Sequence, residues 1–590
     1  MIEIENSHGS FAPTRKGSRA RWFICGEDYF VAVKEAIDSA KEEIFIAGWW
    51  FMPQIELIRT EQRVTLEKSL KEAVRRGVKI FILVFNSNLE YILRFTRFYT
   101  AVKRKNKIYR ENLIEHIRAQ VVDQSMALLG GIDLCIGRYG EHGKYSLFDS
   151  SEEKFKGADY FNSFENPDWE KPRKDLKRIP YHDNACQIFG ESARDLAAHF
   201  IQRWNFSNEK INSFCCFRLN NTPALQLKCI EADYNIEERY GGHFDLATNV
   251  ESIQVLRSAG ESSTGLKEKE CSIYNAYCEV IKHSKRFIYI ETQWFISDAS
   301  LSQNSSNRIQ NKIAASIASR IITAFEKDED FKVYIVLPEV ADFYGKFEDR
   351  NTPEQELFFH LQRHSLTEGV HSIKHQLDLY NSKMSSENPE KQIVFDNYIT
   401  IAAFHKWEKH NNELFHSQIY VHSKLMIVDD ERCIIGSANI QDRCFLGDRD
   451  TETSVLINGK EFCKSFRLKI WSVALGSLNG LDLCPSKDEF FFDHWNKVAN
   501  ANSSALWEAF RNLPHDSIKE YLNDKDPSWQ KWKEEYEHKQ KLPTEQKLEA
   551  LKDYQGFLVK YQINFASNNK EIKTSSTSTD LIHKFTEMFL

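Results

Sequence analysis

VHSKLMIVDDERCIIGSAN, residues 421–439, packs a histidine, a lysine, two aspartates, a Gly-Ser pair and an asparagine into one short run. Alternate side chains of a strand point to one face, so in QIYVHSKLMIV His422 and Lys424 project together. A base beside a cation suits phosphate chemistry. Asp429 and Asp430 open a polar turn, and CII leads into Gly436, where a small residue lets a ligand approach the backbone. A single histidine in a β-run is usually structural, and displacement at phosphorus through a covalent intermediate calls for two.

The second is found by following the chain's internal repeat. Ile37, Lys41, Ile44, Ile46, Trp50 and Phe51 match Ile281, Lys285, Ile288, Ile290, Trp294 and Phe295 at a constant offset of 244. Each set reads as an amphipathic helix running into a buried strand. KSLKEAVRRGVKIFILVF and SRIITAFEKDEDFKVYIVLP repeat that design further on. A partner to residues 421–439 is therefore expected after the first half's second strand, and HIRAQVVDQSMALLGGID stands there, at 116–133. Counted from His116, Arg118, Asp123, Gly130 and Asp133 fall at the spacings that Lys424, Asp429, Gly436 and Asn439 keep from His422. Helix alternating with strand, twice over, predicts an α/β fold: two lobes related by a pseudo-twofold, each a mixed sheet flanked by helices, with the active site at their interface.

The chain's 590 residues exceed one ordinary core, which agrees with two lobes. The expected layout is a polar N-terminal segment over 1–20, a first lobe over 21–205, a linker over 206–270 and a second lobe over 271–490. A C-terminal helical extension with a return strand follows over 491–565, then a flexible tail over 566–590. No run approaches the roughly 18 apolar residues of a membrane span, and MIEIENSHGSF lacks the basic then apolar order of a signal peptide, which predicts that the chain stays on the cytoplasmic side. Twelve cysteines without CxxC pairs predict reduced thiols and no zinc site. A net charge of −7 argues against a nucleic-acid partner. Aromatic residues are plentiful enough to supply a lipid-facing rim besides the core.

The paired motifs with their GG and GSAN followers resemble the phospholipase D superfamily. IPYHDNACQIFGESARDLAAHFIQRWNF, ALLGGIDLCIGRYG, FIYIETQWFIS, IIGSANIQDRCFLGDRDTE and GFLVKYQINF are similar to the catalytic core of eukaryotic phosphatidylcholine-hydrolysing phospholipase D, over roughly residues 20–565. The resemblance implies hydrolysis of phosphatidylcholine to phosphatidic acid and choline, with transfer to primary alcohols. In it His116 attacks phosphorus to give a phosphohistidine, and His422 protonates the leaving group and then activates water. Arg118 and Lys424 hold the phosphoryl oxygens, and Asn439 and Ser437 add neutral donors, with Asp133 and His182 also on the substrate side. Glu452, in GDRDTE, stands where the family's second half places an acid that orients an imidazole, and Asp149, in YSLFD, is the candidate for the first half. Asp123 and Asp429 are read as turn anchors, and Gly130, Gly131 and Gly436 as structural parts of the motifs.

No cofactor or metal is expected, since two histidines and two cations suffice. The expected partner is a phospholipid surface carrying phosphatidylcholine, with phosphoinositide as a further candidate. One departure stands out: where the family has lysine in its first motif, this chain has Arg118, which keeps the charge on a bulkier planar fork. Two alternatives follow. One is a catalytically impaired lipid-binding descendant, for which Arg118 is the motivating feature. The other is a nuclease of the same superfamily, which would call for a basic groove.

Overall fold

The computed structural model describes residues 7–60, 62–85, 108–113, 118–149, 154–155, 177–214, 224–228, 235–298, 309–341, 353–384, 392–478, 484–521 and 523–568. His116 lies outside them. In the first half, β1 (Arg15–Ile24), α1 (Cys25–Ser39), β2 (Glu43–Gly48), α2 (Leu66–Arg76), β3 (Lys79–Phe85) and β4 (Ile108–Leu113) come in turn. They are followed by β5 (Ala119–Val122), β6 (Met126–Gly130), β7 (Asn184–Phe189) and α3 (Glu191–Phe214).

The second half repeats the order. It comprises β8 (Thr248–Ala259), α4 (Ser272–Lys282), β9 (Phe287–Thr292), α5 (Ile313–Glu326), β10 (Lys332–Val336) and β11 (Ile399–His410). Then come β12 (Glu413–Val421), β13 (Lys424–Val428), β14 (Arg432–Gly436), β15 (Glu452–Asn458) and α6 (Lys460–Ala474).

Local chemistry explains the elements. Thr65 accepts from the Lys68 N–H at 3.2 Å to cap α2, and Gly77 ends that helix at φ 104°. Helix α1 buries Tyr29, Phe30, Val33, Ala36 and Ile37, the spacing of one amphipathic face. Strand β2 is buried throughout and pairs in parallel with β3, as a central strand covered on both faces should.

The halves join in one mixed sheet. Antiparallel pairing runs from β2 through β5, β6, β7 and β1 to β8, and on through β15, β14 and β13 to β9. Parallel pairs extend it at both ends, β2 with β3 and β3 with β4, and β9 with β10 and β10 with β11. The twofold passes between β1 and β8. Arg15 pairs with Ile253 and Ala20 with Thr248, and because Ala20 faces Ile188 as Ile253 faces Ile457, each pair is the image of the other. One core spans both halves, with Phe200 and Trp204 of α3 and Trp471 of α6, and a separate core backs each lobe.

Three expectations change. The region 206–270, expected as a linker, contains β8, which pairs on both sides and carries the symmetry axis. Its buried Ile253, Val255 and Leu256 are flanked by polar runs that masked them. The 1–20 segment is part of the sheet from Arg15 onward. The lobes meet through continuous strand pairing, not only across an interface.

Beyond the lobes, α7 (Lys497–Phe510) and α8 (Pro527–Gln540) form the extension, and β16 (Leu558–Lys560) pairs antiparallel with β11. Most of the 566–590 tail lies outside the described residues, as does the first motif's histidine. Among the described residues, no helix is long and apolar enough to cross a membrane. The exposed large apolar side chains there include a single aromatic, Phe492, so the expected rim is not seen in them.

Candidate active site

His422 occupies the break between β12 and β13. Its N–H donates to the His182 carbonyl at 2.8 Å, and Tyr181 and His182 pair in parallel with Tyr420 and Val421, so the first half's chain is bound to the second half's motif. The His422 ring nitrogen Nδ1 lies 2.7 Å from Asp183 Oδ2. Lys424 Nζ donates to Gln293 Oε1 at 3.1 Å and to the His422 carbonyl. Asn439 Nδ2 donates to the same Gln293 oxygen at 3.2 Å. His422, Lys424 and Asn439 are all buried.

The first motif is built on the same plan with different charges. Ala119 faces Leu129 as Leu425 faces Ile435, which puts Arg118 in the place of Lys424 and Gly130 in that of Gly436. Arg118 Nε donates to Asp133 Oδ2 at 2.9 Å, and Asp133 Oδ1 accepts from the Trp49 and Trp50 N–H groups at 3.1 and 3.2 Å. In the second half Asn439 stands for Asp133 and Gln293 for Trp49. The first cation is therefore balanced by a carboxylate, and the second is held by neutral amides.

Register also relates the acids. Ala185 faces Gly130 and Ser454 faces Gly436, so two residues earlier Asp183 and Glu452 occupy equivalent positions. Asp183 orients His422. Glu452 is its counterpart in the second half. Close packing enforces this placement: a Cβ on Gly131 would lie 2.1 Å from Asp183 Oδ1, and one on Gly436 would lie 2.2 Å from Ser454 Oγ.

The turn aspartates are equally matched. Asp123 accepts from the Lys41, Glu42 and Glu43 N–H groups at 2.8 to 2.9 Å. Asp429 accepts from those of Lys285, Arg286 and Phe287 at 2.7 to 3.0 Å. Both sit at positive φ, 48° and 59°, which aspartate tolerates in a tight turn. They tie each hairpin to the helix–strand junction beside it.

A profile described as Phospholipase D matches residues 115–519. The chain belongs to the phospholipase D family. It is 32% identical over 495 residues to Phospholipase D1 of Saccharomyces cerevisiae, covering 78% of this chain and 28% of that protein. It is also 32% identical over 577 residues to Phospholipase D2 of Bos taurus, covering 87% and 59% respectively. The chain thus spans between about a quarter and three fifths of the length of these relatives. In fold it is similar to the phosphatidylserine synthase of Haemophilus influenzae Rd KW20, at a TM-score of 0.40 and 12% identity over 77% of this chain and 88% of that one.

Several residues of this phospholipase D site have partners other than those expected. Asp149 accepts from the Lys154 and Phe155 N–H groups at 2.8 Å, and the first-half acid on His422 is Asp183. His182, expected near the headgroup, is a buried histidine between Glu291 at 3.0 Å and the Tyr145 hydroxyl at 2.7 Å. Ser437 donates its hydroxyl to Glu452, and Asp133 serves Arg118. Asp183 was legible as the neighbour of His182, though without its role. Glu291 and Gln293 were missed, and a buried acid inside an apolar strand was the available signal.

The electrostatics follow from burial. It pushes His422 well below the ordinary imidazole range, with Lys424, Arg118 and Arg138 adding to the effect. It lowers Lys424 to about 7 against the pull of Asp183. Asp183 is raised to about 6 by burial, which Lys424 opposes, and Glu452 to about 8 by burial and Asp450. Burial also works against Arg118, but Asp133 and Glu452 outweigh it and raise its pKa.

Among the described residues, Cys444, Asp450 and Glu452 bring potential metal ligands within 4.8 Å of one another. Asp450 is bound by Arg443 at 2.6 Å, and Glu452 accepts the Ser437 hydroxyl, so both carboxylates already have partners in the chain. The arrangement suits holding a phosphate between two cations while an oriented imidazole moves a proton.

Proposed function

We propose that this chain catalyses phospholipase D chemistry: hydrolysis of phosphatidylcholine to phosphatidic acid and choline, with transfer to primary alcohols. His116 forms the N–P bond as the P–O bond to choline breaks, and His422 delivers a proton to the departing oxygen. His422 then takes a proton from water or alcohol, whose oxygen attacks phosphorus and breaks the N–P bond. Arg118 and Lys424 stabilise charge on the non-bridging oxygens, with Asn439 as a neutral donor.

The observation that carries this reading is His422 held by Asp183 beside Lys424, with Arg118 at the equivalent place in the other half. An imidazole fixed through Nδ1 presents Nε2 to the substrate in one tautomer. The low proton affinity of His422 fits a site that waits for an anion. A phosphodiester offsets Lys424, Arg118 and Arg138, so the proton His422 must donate is bound along with substrate. The substrate would be taken from a phospholipid surface on the cytoplasmic side.

Choline release from phosphatidylcholine vesicles, with and without a primary alcohol, tests the reading on the native chain, His422→Ala and Arg118→Lys. Release and alcohol transfer are expected from the native chain and neither from His422→Ala. Activity surviving His422→Ala overturns the mechanism. A native chain that is inactive until Arg118→Lys restores it favours the impaired lipid-binding descendant.

A further inference from the structure

Behind the Asp183–His422 pair lies a buried ion pair that the proposed reaction does not use. His182 Nε2 is 3.0 Å from Glu291 Oε2, and both side chains are sealed from solvent. The same Glu291 oxygen accepts from Asn184 Nδ2 at 2.6 Å, and the other carboxylate oxygen accepts from the Tyr289 hydroxyl at 2.6 Å. Asn184 Nδ2 also reaches Ser423 Oγ at 3.1 Å. On its far side His182 Nδ1 meets the Tyr145 hydroxyl at 2.7 Å, with Cys25 Sγ 3.7 Å away. Burial works against the imidazolium, yet Glu291 and Cys25 together overcome it and raise His182 to about 10.

The connectivity is specific. Glu291, from β9 of the second half, holds the residues on both sides of Asp183, a first-half residue. Through Asn184 it also holds Ser423, the residue after His422. The His182 carbonyl accepts the His422 N–H at 2.8 Å, and Asp183 Oδ1 accepts the Asn184 N–H at 2.8 Å. Every covalent neighbour that could let Asp183 drift from His422 is thus tied to one carboxylate. The matching position in the first half is Ala47, by the same offset that relates Trp50 to Trp294. Alanine has no carboxylate to offer, so among the described residues this brace is built on the second motif alone.

We infer that Glu291 is a positioning residue that sets the distance and tautomer of the Asp183–His422 pair across the two halves. This rests on the phospholipase D reading for its consequence in catalysis, but its geometry can be tested without turnover. An imidazole misplaced by about 1 Å can cost about a hundredfold in rate, because reacting groups must meet at near-contact distance.

The experiment combines proton NMR of the full chain with choline release from phosphatidylcholine vesicles. The downfield proton of the His422–Asp183 hydrogen bond is assigned by its loss in Asp183→Asn and His422→Ala. Glu291→Ala is expected to broaden or abolish that resonance and to lower kcat about 30- to 100-fold, with KM within about threefold. Glu291→Gln keeps an acceptor for His182 and Asn184 and an amide for Tyr289, so it should retain the resonance and at least about a tenth of kcat.

If Glu291→Ala does not fold, Glu291→Asp decides. The shortened side chain keeps its charge but cannot reach both partners, and a shifted resonance with roughly tenfold lower kcat is expected. A folded Glu291→Ala, or Glu291→Asp in its place, with native resonance and native kcat overturns the inference. A native chain that releases no choline overturns the phospholipase D reading instead, and the resonance then decides the brace alone.

Discussion

Asp183→Asn alters a single polar atom in the buried pair that orients His422. The amide is nearly isosteric, so packing against Gly131 is preserved and the effect falls on hydrogen bonding. Its orientation is constrained, since Asp183 Oδ1 accepts the Asn184 N–H at 2.8 Å and that position must remain an oxygen. The NH2 group therefore faces His422 Nδ1, which can accept only by giving up its own proton. The proton moves to Nε2, and the neutral ring can no longer act there as a base. Loss of a hydrogen bond to a charged group costs about 1.5–3 kcal/mol, or roughly 10- to 150-fold in rate. Enforcing the wrong tautomer on a catalytic histidine has cost as much as about 10⁴-fold.

We expect kcat for choline release to fall by about 10² to 10⁴, with KM changed less than about threefold, because Asp183 is placed against the imidazole and not against the substrate. The assay is choline release from phosphatidylcholine vesicles between about pH 5.5 and 8, paired with thermal unfolding. A well-folded variant with kcat within about threefold of native at every pH would refute the orienting role.

Gly131→Ala should reproduce this loss by another route, since its Cβ would sit 2.1 Å from Asp183 Oδ1 and displace the carboxylate; native turnover in that variant would contradict the packing argument. Asp429→Ala should act on stability, because three backbone N–H groups lose their acceptor. About 2–4 kcal/mol is expected from urea unfolding, and a loss under about 0.5 would contradict the turn-anchor role. Anion binding should weaken with rising pH. Lys424 is lowered to about 7 by burial, so its ammonium is present below that pH and is lost above it. Sulfate, whose own charge is constant over this range, should bind several-fold more weakly at about pH 8.5 than at about pH 6, with net proton uptake on binding. Titration calorimetry in buffers of differing ionisation enthalpy reads both, and a flat affinity would contradict the assignment.

Much of the site was legible because its signals are local. A cation and an aspartate five residues on lie on one strand and its turn, and that spacing survives duplication because this part of each copy is one hairpin. The roles of Asp123 and Asp429 followed from that geometry. Strand β8 was hidden because its apolar alternation is short and lies between polar stretches. Asp149, in YSLFD, is the sequence candidate for the first-half acid, whereas Asp183 meets His422 across 239 residues of chain. Glu291 and Gln293 lie in the FIYIETQWF strand, where the apolar pattern reads as core and gives no hint of what the polar members touch.

From the residue string alone follow the α/β repeat, the two cation–histidine motifs and the family. The repeat and the motifs rest on strand alternation and hairpin spacing, which depend on neighbours in sequence, and the family rests on the resemblance of the motif text. Which carboxylate meets which histidine, and that Arg118 is balanced by Asp133 while Lys424 is held by amides, was decided only by the tertiary structure. Those pairings are set by registers between strands far apart in the chain, β6 with β7 and β14 with β15, and by the parallel contact that brings Tyr181–His182 onto Tyr420–Val421. No local rule specifies a register between distant strands, because it emerges when both halves bury their faces together.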